Sequence, residues 1–254
     1  MTHDISITIV IATYNAASCV GQALRSVQNQ TVRDWECLVV DGASTDDTLS
    51  IVRTFCAADE RFRYISEPDN GIYDAYNKGW QQARGEWILY LGADDELYPD
   101  AIATLLPLTA DADIVYGGVM LSFPNGKQRP RQVNTPAHLR YDMPSGHQAF
   151  LMRRRLMEEL NGFDMQYRIL ADFDLMQRAY VLGFNFNYTK AIVAKFAVGG
   201  TSTDSLEGEK ERYQIIRKNQ TSDYPGLIYL ANMVRILLLK LKHTLCDGTR
   251  LSSK

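Results

Sequence analysis

Four cysteines in 254 residues, Cys19, Cys37, Cys56 and Cys246, form neither a CxxC pair nor a close cluster. That argues against a disulfide framework or a cysteine-built zinc site. It implies free thiols in a reducing compartment, with Cys37 and Cys56 in the core. The histidines, His3, His138, His147 and His243, make no zinc pattern either. No uninterrupted apolar run reaches about 18 residues, so no segment reads as a clear transmembrane span. The N-terminus lacks a basic region and a small-residue cleavage site, so no signal peptide is expected. Net charge is only −3, which leaves no basic surplus for broad nucleic-acid binding. Internal repeats and low-complexity tracts are missing as well. What remains suits one large domain, or one domain with an appendage.

The first hundred residues alternate in period. SITIVIATYN (6–15) is short, β-branched and apolar on both faces, like an interior parallel strand. A helix follows, with Val20, Leu24 and Val27 on one face. WECLVVDGAST (35–45) is a second strand, ending in Asp41-Gly42 before residues able to cap the next helix, which carries Leu49, Val52 and Phe55. RFRYISEPDNG (61–71) gives a third strand and a turn. A helix then places Ile72, Tyr76 and Trp80 together, with the aromatic set Tyr73, Tyr76 and Trp80 read as core. Strand alternating with helix predicts an α/β fold with a doubly wound, mainly parallel sheet. Right-handed crossovers would then gather Thr13, Asp41 and Asp94 along one edge.

Beyond residue 100 the pattern changes to a smaller antiparallel region. ADIVYGGVMLSF (112–123) runs into a hairpin signal at PNGK (124–127). MPSGHQAFLMRR (143–154) reads as loop, strand and helix start. Residues 161–183 place acids before a helix with Leu175, Met176 and Ala179 on one side. Two short strands, FNFNY and IVAKF, follow. GGTSTDS (199–205) is a polar loop, read either as an ordinary turn or as a flap that closes over a ligand. PGLIYLANMVRILLLKLKHTL (225–245) is apolar but interrupted by Asn232, Arg235 and Lys240. It reads as a packed helix or as an amphipathic helix lying on an anionic membrane surface.

The chemistry concentrates in LYLGADDELYP (89–99). Adjacent carboxylates, Asp94 and Asp95, follow a buried apolar run at the end of an inner strand, where open α/β sheets bind ligands. Like charges side by side repel unless a cation joins them. Mg²⁺ or Mn²⁺ would do so and bring a diphosphate along. The competing reading is a helix cap, with Pro99 opening the helix.

Taken in order, TIVIATYN, VVDGASTDDT, SEPDNGIYDAYNKG, GEWILYLGADDELYP, GHQAFLMRR and ADFDL closely resemble the family 2 glycosyltransferases of GT-A fold. Within them, the chain looks most like bacterial enzymes that build exopolysaccharide or O-antigen units, of the colanic acid type. The resemblance covers residues 5 to about 205. It implies a GT-A domain over 1–222, with a nucleotide-binding half (1–100) and an acceptor half (101–222), and a C-terminal amphipathic helix over 223–254. It also implies inverting transfer from a UDP- or GDP-linked sugar to an acceptor hydroxyl, on a saccharide or lipid-linked saccharide, with Mn²⁺ or Mg²⁺. The setting it implies is the cytoplasmic face of a bacterial membrane, with residues 225–245 in peripheral contact.

By the same resemblance, Asp95 would bind the metal and Asp94 would face the ribose or sugar. Asp41 would read the base, over a floor of Thr13, Tyr14 and Asn15. Asp74, Asn77 and Lys78 would lie near the nucleotide and donor sugar. His147 and Gln148 would line the sugar or acceptor pocket. Asp172 matches the catalytic base, but the frequent Glu-Asp is here Ala171-Asp172, so Asp174 stays open as the alternative. Arg153 to Arg155 read as a solvated helix start, or as a contact to a lipid-linked diphosphate.

The residue types suit that reaction. A divalent cation stabilises a departing diphosphate, and a carboxylate base on the opposite face of the sugar contributes about 10²–10⁴-fold. One attack from that face inverts the anomeric centre. Two rivals share the nucleotide-binding logic. A sugar-1-phosphate nucleotidyltransferase would carry a Gly-rich, basic phosphate loop where this chain has ATYNAASCV. A non-catalytic sugar-nucleotide binding module would bind without transfer.

Overall fold

The computed structural model of the chain describes residues 6–199 and 205–248, with side chains up to residue 238. The predicted alternation is present: β1 (Ile7–Thr13), α1 (Val20–Gln28), β2 (Trp35–Asp41), α2 (Thr48–Ala58), β3 (Phe62–Ser66), α3 (Ile72–Gln81) and β4 (Trp87–Gly92). After these come β5 (Glu96–Leu97), α4 (Ala101–Leu105), β6 (Ile114–Ser122), β7 (Gln128–Pro130), β8 (Phe150–Arg153) and α5 (Arg154–Glu159). The chain continues through α6 (Ala171–Val181), β9 (Phe186–Ala197), α7 (Leu206–Asn219) and α8 (Pro225–Gly248).

Among the described residues nine strands join one sheet, in the order β3-β2-β1-β4-β8-β6-β9-β5, with β7 on the flank of β6. The first four pair in parallel. β8 enters antiparallel between β4 and β6, so the second half completes the sheet edge of the first. The inner strands are buried along their whole length because helices cover both faces. On one face Ile7, Ile9 and Ile11 of β1 pack with α1, α2 and α4. On the other, Val10 and Ala12 pack with α3, α5, α6 and α7. This alternation by twos is the strand period itself.

Several sequence expectations change. Ile72 is exposed and Trp80 is half-buried; the buried face of α3 is Tyr73, Ala75, Tyr76 and Gly79. At Gly79 a Cβ would lie 2.3 Å from Cγ1 of Val10, so α3 sits on β1 closer than any side chain permits. The end of FNFNY and all of IVAKF fall within one strand, β9, which shifts register against β6 near Gly118. Cys37 is fully buried, but Cys56 is only half-buried. The chain after Asp95 does not enter a helix directly. Glu96 and Leu97 pair with β9, and Asp100 takes the N-cap of α4, so the cap reading of Asp95 fails.

Candidate active site

The β1–β2 register pairs Thr13 with Asp41, and β1–β4 pairs Ala12 with Gly92, so three strand ends meet on one edge. Asp41 is fully buried there. Its Oδ1 accepts from the hydroxyls of Thr13 (3.1 Å) and Ser44 (2.5 Å). Its Oδ2 accepts from the Ser44 N–H (3.0 Å) and the Ser66 hydroxyl (2.8 Å). Four donors fix the carboxylate and compensate its burial. Asn15 adopts φ +48° and holds the same loop: its N–H donates to Ser44 Oγ, and its Oδ1 accepts from the Thr45 N–H. Tyr14 beside it is 65 % exposed, a free ring at the rim. Gly42 is needed for a close approach, since a Cβ there would stand 2.5 Å from Oδ2 of Asp69.

The EPDNG turn is built from α3. Asp74 accepts from the N–H of Asn70 (2.9 Å), and Lys78 Nζ donates to the Pro68 carbonyl (2.7 Å) and pairs with Glu67 (3.1 Å). Asn77 faces elsewhere. Its amide donates to the Phe163 carbonyl, and its Oδ1 accepts from the Phe163 N–H and from Trp80 Nε1. Three hydrogen bonds occupy it in joining α3 to the 161–163 turn, so it is not among the groups gathered at the strand ends.

The adjacent acids separate in environment. Asp94 is exposed, while Asp95 is buried. Asp95 accepts from Gln148 Nε2 (2.8 Å) on Oδ2 and from the Ala197 N–H (3.1 Å) on Oδ1. Burial, reinforced by the Asp94 charge, raises its carboxyl to about 6 against the opposing pull of His147 and its hydrogen-bond donors. The neighbouring Glu96 is paired with Lys195 at 2.7 Å. A Cβ at Gly92 would meet Asp95 Oδ2 at 2.7 Å and Asp94 Oδ1 at 3.0 Å, so one oxygen from each acid converges over this glycine.

That pair suits a hard divalent ion that draws its remaining ligands from a diphosphate and water. Among the described residues, no group of three or more His, Cys, Asp or Glu side chains forms an all-protein cage.

Asp172 lies in the first turn of α6 with its side chain 16 % exposed. Its Oδ1 accepts from the Tyr73 hydroxyl (3.1 Å) and the Phe173 N–H (2.8 Å), and its Oδ2 is 3.6 Å from His147 Nδ1. Asp174 is fully buried and committed to Arg178 (2.7 Å), Lys218 (3.1 Å) and Asn219 (3.2 Å). Of the two, Asp172 is therefore the carboxylate open to a ligand. His147 and Gln148, adjacent on one short turn, thus reach Asp172 and Asp95 respectively. His147 Nε2 is buried without a partner.

Tyr76 and Tyr90 also bury unpartnered hydroxyls. The Tyr76 ring lies 6.3 Å from that of His147, and burial, with the charges of Asp95 and Asp172 adding to it, pushes its hydroxyl well up. The sequence reading missed Ser44, Ser66 and Asp69. It also missed that Tyr73, read as core, turns its hydroxyl to Asp172. Arg153, Arg154 and Arg155 are paired with Glu86 and Asp113, with Glu158, and with Asp113. The flap expectation at 199–205 falls on residues 200–204, outside the described residues.

Known proteins bear on this geometry. The profile described as Glycosyl transferase family 2 matches residues 8–173. A PGL/p-HBAD biosynthesis glycosyltransferase of Mycobacterium bovis is 34% identical over 209 residues, covering 80% of this chain and 81% of its own. The hyaluronan synthase of Pasteurella multocida is 26% identical over 230 residues, 88% of this chain but 24% of that much longer one. Among solved structures, S. aureus TarS 1-349 in complex with UDP-GlcNAc has a TM-score of 0.71 at 16% identity, covering 98% of this chain and 76% of that one. The mannosyltransferase PcManGT from Pyrobaculum calidifontis, in complex with GDP-Man and Mn2+, has a TM-score of 0.68 at 20% identity, covering 98% and 80%. At such identities these structures speak to the fold alone.

Proposed function

Because the chain belongs to glycosyl transferase family 2, we propose that it carries out an inverting, metal-dependent transfer of a hexosyl unit from a nucleotide-diphosphate sugar to an acceptor hydroxyl. The observation that carries this reading is the pairing of Asp95 and Asp172 through adjacent residues: Gln148 holds one and His147 faces the other. On this reading an acid for the donor side and an acid for the acceptor side would be linked through two adjacent residues, as a single displacement needs.

Asp41, Thr13 and Tyr14 would receive the nucleoside, with Asp69, Asp74 and Lys78 shaping the turn beside it. Asp94 and Oδ2 of Asp95 would hold Mn²⁺ or Mg²⁺, and such an ion supplies Lewis-acid stabilisation to the departing diphosphate. Asp172 would take the acceptor proton. Its exposure and its hydrogen bond from Tyr73 favour it over Asp174, which is sealed and ion-paired. The aromatic and histidine side chains around the cleft would exclude water from the reacting centre.

The donor would be a UDP- or GDP-sugar; neighbours of the same fold are described with UDP-GlcNAc and with GDP-Man and Mn2+. The acceptor would be a saccharide or lipid-linked saccharide in bacterial surface polysaccharide synthesis, reached at the cytoplasmic membrane face. Among the described residues no helix is long and apolar enough to cross a membrane. α8 nevertheless exposes Leu227, Leu230, Val234, Leu237 and Leu238, and its sequence adds Arg235, Lys240 and Lys242. An apolar stripe with basic residues suits a helix lying in an anionic lipid surface.

The test is a panel of sugar nucleotides with and without Mn²⁺, read by thermal shift, since a bound donor raises apparent stability by mass action. Transfer is then assayed with the best donor. Asp95→Ala should abolish metal-dependent donor binding. Asp172→Asn should keep donor binding and lose transfer; near-normal turnover in that variant would refute the base assignment. Release of pyrophosphate from a nucleoside triphosphate would instead favour the nucleotidyltransferase reading.

A further inference from the structure

α6 begins at Ala171 without a side-chain cap of its own, because the N-cap position is Leu170. Unpaired N–H groups at such an end need acceptors. The turn that leads into this helix is held instead by an acceptor from another helix. Glu211, in the middle of α7 and 8 % exposed, accepts from the N–H of Arg168 on Oε1 (2.8 Å) and from those of Ile169 (2.9 Å) and Leu170 (2.8 Å) on Oε2. One carboxylate thus binds three successive backbone donors immediately before α6, two residues ahead of Asp172. The same turn is held from the opposite side by Tyr73, whose hydroxyl donates to the Ile169 carbonyl at 2.7 Å and lies 3.1 Å from Asp172 Oδ1.

We propose that Glu211 is a positioning residue for the transfer reaction, setting where Asp172 stands against the acceptor hydroxyl by fixing the 168–170 turn. The proposal rests on the reading of Asp172 as base. A carboxylate is the side chain that fits this task. It offers enough lone pairs for three donors at once, and its charge favours a helix N-terminus. Glutamine in its place would present one oxygen and turn an N–H₂ group toward a backbone N–H. Glu209, two residues earlier, instead pairs with Arg212 and accepts from Asn232 of α8, so the two acids of α7 serve different neighbours.

The experiment compares full-length wild type, Glu211→Gln, Asp172→Asn and the double variant, with the donor found by thermal shift. The expected result for Glu211→Gln is a kcat lower by about ten- to a hundredfold, the scale of a small misplacement of a reacting group. Donor affinity stays within about twofold, because the turn does not touch the donor side. In the Asp172→Asn background the Glu211→Gln change should cost almost nothing further, since its whole effect passes through Asp172. Normal kcat in Glu211→Gln beside an inactive Asp172→Asn overturns the proposal and leaves the base reading intact. Additive losses in the double variant overturn it too, because they mark a general structural role. An active Asp172→Asn removes the base reading first. If Glu211→Gln does not fold, Glu211→Asp keeps the charge with a shorter reach, and an unchanged kcat there refutes the positioning role.

Discussion

At the scale of single residues, burial decides which of two neighbouring acids can work. Asp172 and Asp174 stand two positions apart in one helical turn. Asp174 has Arg178 one turn further along the same helix, and the packing of α6 against α7 adds Lys218. Removing one member of such a buried cluster leaves the others uncompensated, so Asp174→Asn should destabilise the fold by about 3–5 kcal/mol in urea titrations. The same reasoning separates Asp94 from Asp95. A carboxyl raised to about 6 by burial keeps its proton in the folded chain where the unfolded chain has lost it. The unfolded state then binds fewer protons between about pH 4 and pH 6, so this group lowers stability as pH rises through that window. Without a divalent ion or donor, Asp95→Asn should gain stability relative to wild type on going from pH 5 to pH 8. A constant difference across that range would contradict the assignment. The sequence displayed the acids but not their surroundings, because Ala197 and Gln148 reach Asp95 from distant parts of the chain.

Elements were legible where one period ruled them. β1, β2 and β4 are legible because they are short, mostly apolar runs on both faces, and α1 because Val20, Leu24 and Val27 recur at helical spacing. α3 is legible as a helix and only in part in its facing. Tyr73 and Tyr76 are buried as the sequence implies, but Ile72 is exposed and Gly79 turns inward so that the backbone can lie against Val10. Close approach at a glycine has no signature in hydrophobic periodicity. Alanine at Gly79 would improve helix propensity by about 1 kcal/mol, yet it would drive a Cβ into Val10. The expected net effect of Gly79→Ala is a loss of about 1–3 kcal/mol, measurable as a lowered denaturation midpoint with an unchanged slope. In sequence β9 resembles two strands because Thr189 to Ala191 break the alternation at a register shift, not at a strand end. For α8, flotation with anionic vesicles should recover the full chain in the lipid fraction, and Leu227→Glu with Leu230→Glu should leave it behind. Equal recovery of both from the soluble fraction would remove the membrane from the proposal.

For the molecule as a whole, the α/β class and the parallel first half followed from alternation, but the way the second half joins did not. Nothing local in FLMR announces that it will run antiparallel to β4, because strand pairing over that distance is decided by the packing of both halves. The far end of the sheet, remote from the cleft, is held by a buried acid. Glu36 is 2 % exposed and accepts from Thr8 Oγ1 (2.7 Å), Arg63 Nε (2.8 Å) and the Arg84 N–H (2.8 Å). Burial alone would push its carboxyl up, but the donors from Arg63, Thr8 and Arg84 outweigh it and hold it below the usual range. A lowered folded value gives stability above the ordinary range near pH 4, lost as pH falls through the folded value. The stability gap between wild type and Glu36→Gln should therefore be widest at pH 7 and narrow on acidification.

The antiparallel entry of β8 between β4 and β6 carries a further implication for ancestry and engineering. A first half cut out after β4 would expose a raw strand margin, and the remainder would lack a template on which to assemble. Grafting a new acceptor specificity onto this scaffold therefore means rewriting loops above an intact sheet, because exchanging halves would sever the seam that makes either of them foldable.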